Sequence, residues 1–290
     1  MDIVPLNNSP VPKGILMAIG GHENKGEEPE KKSQQDNPNP LEILQTFVDL
    51  TGKEKGKAVI ELITSASSKE DELFQDYVNV FKEIGIKKIR QIHHKTRQDL
   101  LNDNLKERIK EADAVFFAGG DQLRLTSIYG GTEFLLLLKQ RYINEHFVIA
   151  GTSVGAMALS TPMIYTGNQD VQEIVGEIRI TTGLEFLKDV CIDTHFTDRA
   201  RFVRMAQAIT TNPTCIGLGI SEDTALIIRN GRETEVCGSG IIIVIDGFNI
   251  TDSNILDYDK KVPLSVKNLR VHLLTRGDTF NIPQNNPPHI

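Results

Sequence analysis

Three absences narrow the field before any motif is considered. The chain has only three cysteines, Cys191, Cys215 and Cys237, an odd and scattered set with no C-x-x-C. This excludes a disulfide framework and a thiolate zinc site and suits a reducing compartment. No apolar run reaches transmembrane length, and the first residues carry no basic n-region or signal core, so a cytoplasmic location is expected. A basic excess is also lacking: net charge is -7 and the isoelectric point is near 5.6. A general nucleic-acid binder would carry a basic stripe. There is no internal repeat and no composition break that marks a domain boundary.

What is present is an alternation of buried-type strands and amphipathic helices over 290 residues, enough for one large core. Apolar strand-like runs occur at 14–19, 58–63, 88–92, 114–118 and 147–150, with helical periods from 41 to 50, 71 to 84, 101 to 112 and 133 to 144. Such alternation predicts β-α-β units and a mostly parallel central sheet flanked by helices on both faces. Beyond residue 170 the expected elements are strands at 174–181 and 190–193 and a helix from 198 to about 209. A β-rich C-terminal extension follows, with a hairpin turning on Asn230-Gly231 and strands at 240–245 and 269–274. Residues 14–280 read as a single α/β domain. Residues 1–13 read as a flexible arm, 24–40 as a mobile charged insertion and 281–290 as a frayed tail.

In parallel sheets ligands collect at the carboxyl ends of strands, where His22-Glu23, Thr64–Ser68 and Gly119–Gln122 fall. The fifth run leads there into Gly151-Thr152-Ser153-Val154-Gly155, a G-x-S-x-G elbow. A sharp strand-to-helix turn of this kind lifts a serine hydroxyl above the sheet as a nucleophile, and the amide of Val154 can help hold an oxyanion. A second oxyanion donor is expected at Gly120, in Gly119-Gly120-Asp121, where the alternative role is a glycine turn with Asp121 as helix cap. Serine needs a base. Of seven histidines, His195 is best placed, at the end of the 190–193 strand and before a helix. A carboxylate should orient it. Asp170 and Glu173 are candidates on the segment leaving the elbow, and Glu222 and Asp223 are others. Asp193, Arg199, Arg201 and Arg204 surround the histidine; they suit recognition of guanidinium and carboxylate groups, or form a solvated basic face.

Taken together, Gly20-Gly21, Ala66-Ser67, 119–125, 151–156, Asp193-Thr194-His195-Phe196 with its arginines, and 217–225 resemble the cyanophycinases, a branch of a serine peptidase family that includes aspartyl dipeptidase. The resemblance covers about Gly14 to Thr275. It implies a flavodoxin-like fold, similar to class I glutamine amidotransferases, and a homodimer working without metal or cofactor. It also implies Ser153 as nucleophile and His195 as base, with Gln122, Asp193, Thr194, Arg199, Arg201 and Arg204 shaping the substrate site. The implied substrate is cyanophycin, a poly-aspartate with arginine on each side chain, released as β-Asp-Arg dipeptides. Three departures stand out. Thr194 replaces a glutamine, Val154 replaces an alanine, and the family glutamate falls by spacing near Val171, leaving Asp170 or Glu173 for its role. A dipeptidase or isopeptidase for small Asp-containing peptides, and a catalytically silent peptide-binding protein on the same scaffold, are the competing expectations.

Overall fold

The computed structural model describes residues 10–21, 23, 25, 39, 41–102, 104–165 and 174–283. Of the expected arm, insertion and tail, only residues 10–13, 25, 39 and 281–283 fall within the described residues. Five parallel strands form the heart of the molecule: β1 (Ile15–Ile19), β2 (Val59–Ile63), β3 (Lys88–Ile92), β4 (Ala114–Phe117) and β5 (Val148–Thr152), in the order β1-β5-β4-β2-β3. On the other side of β1 the sheet continues antiparallel through Thr224–Arg229, Glu233–Gly238 and Thr279–Asn281, making eight strands.

Strand side chains alternate between two apolar layers, as a period of two requires. Ile15, Met17 and Ile19 pack with α1 (Glu42–Asp49) and α2 (Glu70–Ile84) on one face. Leu16 and Ala18 face the opposite layer, which takes in α3 (Leu105–Glu111), α4 (Gln122–Tyr129), α5 (Glu133–Asn144) and α6 (Val154–Ala158). Burying each of these large side chains contributes about 1.5–3 kcal/mol. Helix α2 starts on an acidic turn of Glu70, Asp71 and Glu72 and stops at Gly85, whose φ of 102° is left-handed. Its Tyr77 and Phe81 join Phe47 and Phe116 in a cluster of stacked, tilted and edge-on rings, centroids 5.1 to 6.1 Å apart.

The expected β-rich extension forms for the most part a second sheet beside the central one. Val190–Thr194, Ile216–Ile220, Ile242–Asp246 and Arg270–Leu274 build a second sheet of six strands with the short pieces Ser160–Thr161 and Leu187–Lys188. It packs into the same apolar layer as α3–α6, together with α7 (Phe202–Thr211). The strand expected at 174–181 shrinks to Ile180–Thr181 because Gly176, at φ 86°, turns the chain. The helix expected from Asp198 begins only at Phe202, since Ala200 is left-handed (φ 48°) and breaks the run. The Asn230-Gly231 hairpin forms as read, both residues at positive φ.

Candidate active site

Three separate elements end at one place. Strand β5 delivers Ser153, the second-sheet strand Val190–Thr194 delivers His195, and the turn before Thr224–Arg229 delivers Glu222. Ser153 sits at φ 53° and ψ -123°, between the strand and α6. The turn is tight because Gly155 passes directly over β4: a Cβ there would lie 2.2 Å from the Phe117 carbonyl oxygen. His195 is also left-handed, at φ 50°. Two non-glycine residues in this region store about 1–3 kcal/mol each, which the surrounding packing offsets.

The side chains form a continuous hydrogen-bonded line. Ser153 Oγ is 2.9 Å from His195 Nε2, and His195 Nδ1 is 2.6 Å from Glu222 Oε1. The imidazole is buried, while Ser153 is half-buried and reachable from solvent. Of the expected carboxylates, Asp170 and Glu173 lie outside the described residues, and the one that meets His195 is Glu222. Glu222 lies two residues before Thr224–Arg229, which pairs antiparallel with β1, so it arrives at the carboxyl end of β1.

Gly119 and Gly120 border the serine. A Cβ on Gly119 would stand 3.5 Å from Ser153 Cβ. Gly120 is exposed at φ 144°, and Asp121 caps α4 by accepting from Leu123 N at 2.8 Å while its own N–H reaches Ala66 O at 3.0 Å. The glycine turn and the helix cap thus coexist. Val154, at the start of α6, is half-buried beside the serine.

The expected substrate-binding group is arranged differently from its sequence reading. Asp193 is fully buried and its carboxylate is taken up within the protein. Oδ2 accepts from Arg204 Nε at 2.6 Å. Oδ1 accepts from Arg201 at 3.0 Å, from the Thr194 N–H at 2.9 Å and from the second Arg204 nitrogen. Arg201 also donates to Thr194 O at 2.6 Å. Burial lowers the pKa of Arg201 to about 10 despite the opposing pull of Asp193. Arg199 is exposed, Gln122 donates to Ile164 O at 3.2 Å, and the Thr194 hydroxyl is buried with no hydrogen-bond partner among the described residues. Asp193 and Arg204 hold each other, so Arg204→Met should leave a buried charge short of a partner. A stability loss of about 3–5 kcal/mol is expected in urea unfolding, against well under 1 for Arg199→Met.

Among the described residues no group of His, Cys, Asp and Glu could hold a metal ion, and no helix is long and apolar enough to cross a membrane. The three thiols are buried, and burial raises the pKa of Cys237 to about 12, far from a reactive thiolate.

Residues 32–236, more than half of the chain, match the model of peptidase family S51. This chain belongs to peptidase family S51. Among curated relatives, the cyanophycinase of Synechococcus elongatus is 32% identical over 270 residues, covering 93% of this chain and 80% of that protein. The cyanophycinase of Nostoc sp. (strain PCC 7120) is 31% identical, covering 94% of this chain and 87% of its own. In fold, the chain is similar to a peptidase from an acI-B1 Actinobacterium, with a TM-score of 0.64 at 19% identity over 94% of this chain and 98% of that one. The S51 match takes in Ser153, His195 and Glu222, the three residues joined in the hydrogen-bonded line.

Proposed function

We propose that this S51 peptidase hydrolyses cyanophycin from a chain end through an acyl-enzyme on Ser153. The observation that carries the reading is the Ser153–His195–Glu222 line, with contacts of 2.9 and 2.6 Å. In this mechanism Ser153 Oγ attacks the scissile carbonyl carbon while His195 Nε2 takes its proton. Glu222 keeps Nδ1 protonated and stabilises the imidazolium that forms. The Val154 and Gly120 N–H groups hold the oxyanion of the tetrahedral intermediate, each donor being worth roughly 3–4 kcal/mol in the transition state. His195 then returns the proton to the leaving amine. Water, activated by the same imidazole, releases the acyl group.

The substrate assignment draws on the cyanophycinases among the relatives and on the local charge. Arg199, exposed in the turn between His195 and α7, suits the carboxylates of an aspartate polymer. The dipeptidase reading is favoured by one observation, Thr194 at the position of the family glutamine, since a short buried hydroxyl cannot reach a substrate as an amide would. The test is digestion of purified cyanophycin followed by mass spectrometry. Release of β-Asp-Arg is the expected result. Cleavage of small Asp-containing dipeptides alone, with the polymer intact, would transfer the assignment to the second reading.

A further inference from the structure

The end of β1 and the two residues after it bond through their backbone to Ser153, to His195 and to the residue beside Glu222. Ile19 O accepts from Ser153 N at 3.0 Å, Gly20 O from His195 N at 2.9 Å, and Gly21 O from Asp223 N, next to Glu222, at 3.1 Å. Three successive carbonyls therefore set the relative register of chain segments that arrive from separate elements. Gly21 is left-handed (φ 98°), and a Cβ there would lie 2.5 Å from the His195 ring, so the segment runs directly along the imidazole.

Just beyond it lies a buried carboxylate that the hydrolytic mechanism does not use. Glu23 is only 5% exposed. Its Oε2 accepts from Thr152 Oγ1 at 2.6 Å, one residue before the nucleophile, and its Oε1 accepts from the Tyr77 hydroxyl of α2. Tyr77 is fixed in the aromatic cluster, and burial with the adjacent Glu23 pushes its hydroxyl well above the usual phenol range, so it stays a donor. Burying a carboxylate is costly unless its bonds are well made, and here both oxygens are used.

We propose that Glu23 is a positioning residue that clamps the turn after β1 onto Thr152, keeping the serine elbow and the three carbonyls in register. It acts through Ser153 and does not meet the reacting atoms. The proposal rests on reading Ser153 as the nucleophile, and the experiment separates the two.

Glu23→Gln keeps the side-chain volume but replaces one acceptor with a donor. Thr152→Val removes the hydroxyl from the other side of the same bond. The full-length parent, both variants and the double variant are treated with diisopropyl fluorophosphate, and the rate and final extent of Ser153 labelling are followed by intact mass. Cyanophycin hydrolysis is measured in parallel. The expected result is full final labelling with the rate per site reduced about tenfold in either variant, a similar fall in kcat, KM within about twofold, and a double variant no slower than the slower single one. A purely structural role would lower the final extent while the folded fraction reacts at the parental rate, and that outcome overturns the proposal. A parental rate in both variants also overturns it. If Glu23→Gln fails to fold, Thr152→Val decides by the same two readouts. An unlabelled parent overturns the nucleophile reading and this assignment with it. A labelled parent that leaves cyanophycin intact removes only the substrate, and the labelling rates still judge Glu23.

Discussion

Ser153→Ala should reduce kcat by about 10⁵–10⁶-fold, the scale seen when the nucleophile of a serine peptidase is removed. Everything near residue 153 serves that oxygen. β5 ends there, Gly155 lets α6 fold back over β4, and the backbone accepts a left-handed serine so that Oγ reaches His195 Nε2. Alanine fits the same backbone and retains the Ile19 contact, so the fold and substrate binding should survive while covalent catalysis is lost. The measurement is initial-rate hydrolysis of cyanophycin with a thermal unfolding control. A variant within tenfold of the parent would exclude Ser153 as the attacking group.

The second large effect is expected at Glu222. Glu222→Gln should lower kcat by about 10³–10⁴-fold with little change in KM, because the defect lies in tautomer control and charge stabilisation. A glutamine amide can donate to His195 Nδ1, which drives the ring proton to Nε2. The nitrogen facing Ser153 then has no lone pair with which to take its proton. The same assay on Asp170→Asn and Glu173→Gln provides the comparison. A loss in either that equals or exceeds the Glu222→Gln loss would move the orienting role away from Glu222.

Much of this site could be read from the residues in order. The small-residue elbow at 151–155 marks a strand-to-helix turn, and His195 follows an apolar strand into a polar turn, so both positions have local signals. Glu222 has a weaker one. Its carboxylate reaches His195 only because Thr224–Arg229 adds antiparallel to β1, a pairing between strands about 200 residues apart in sequence that no local pattern encodes. Strand membership was equally hidden. Val190–Thr194 and Val148–Thr152 are both short, buried apolar runs, and burial makes strands of different sheets look alike. The charges around His195 were only partly legible for a related reason. Spacing places Arg201 and Arg204 near Asp193, but only the packed structure reveals that the acid is consumed by its own arginines. Glu23 was visible as a polar residue at a strand end. Its partner Thr152 could be found only by folding the chain.

Ser153 ends β5 of the eight-stranded sheet, His195 follows Val190–Thr194 of the six-stranded one, and Glu222 sits on the link between the two, after Ile216–Ile220 and before Thr224–Arg229. On the proposed mechanism hydrolysis is seated on the seam between the two sheets, and turnover would report whether they remain docked. Conditions that let the two sheets slip by an ångström would silence the chemistry while the helical and strand content around each stayed intact.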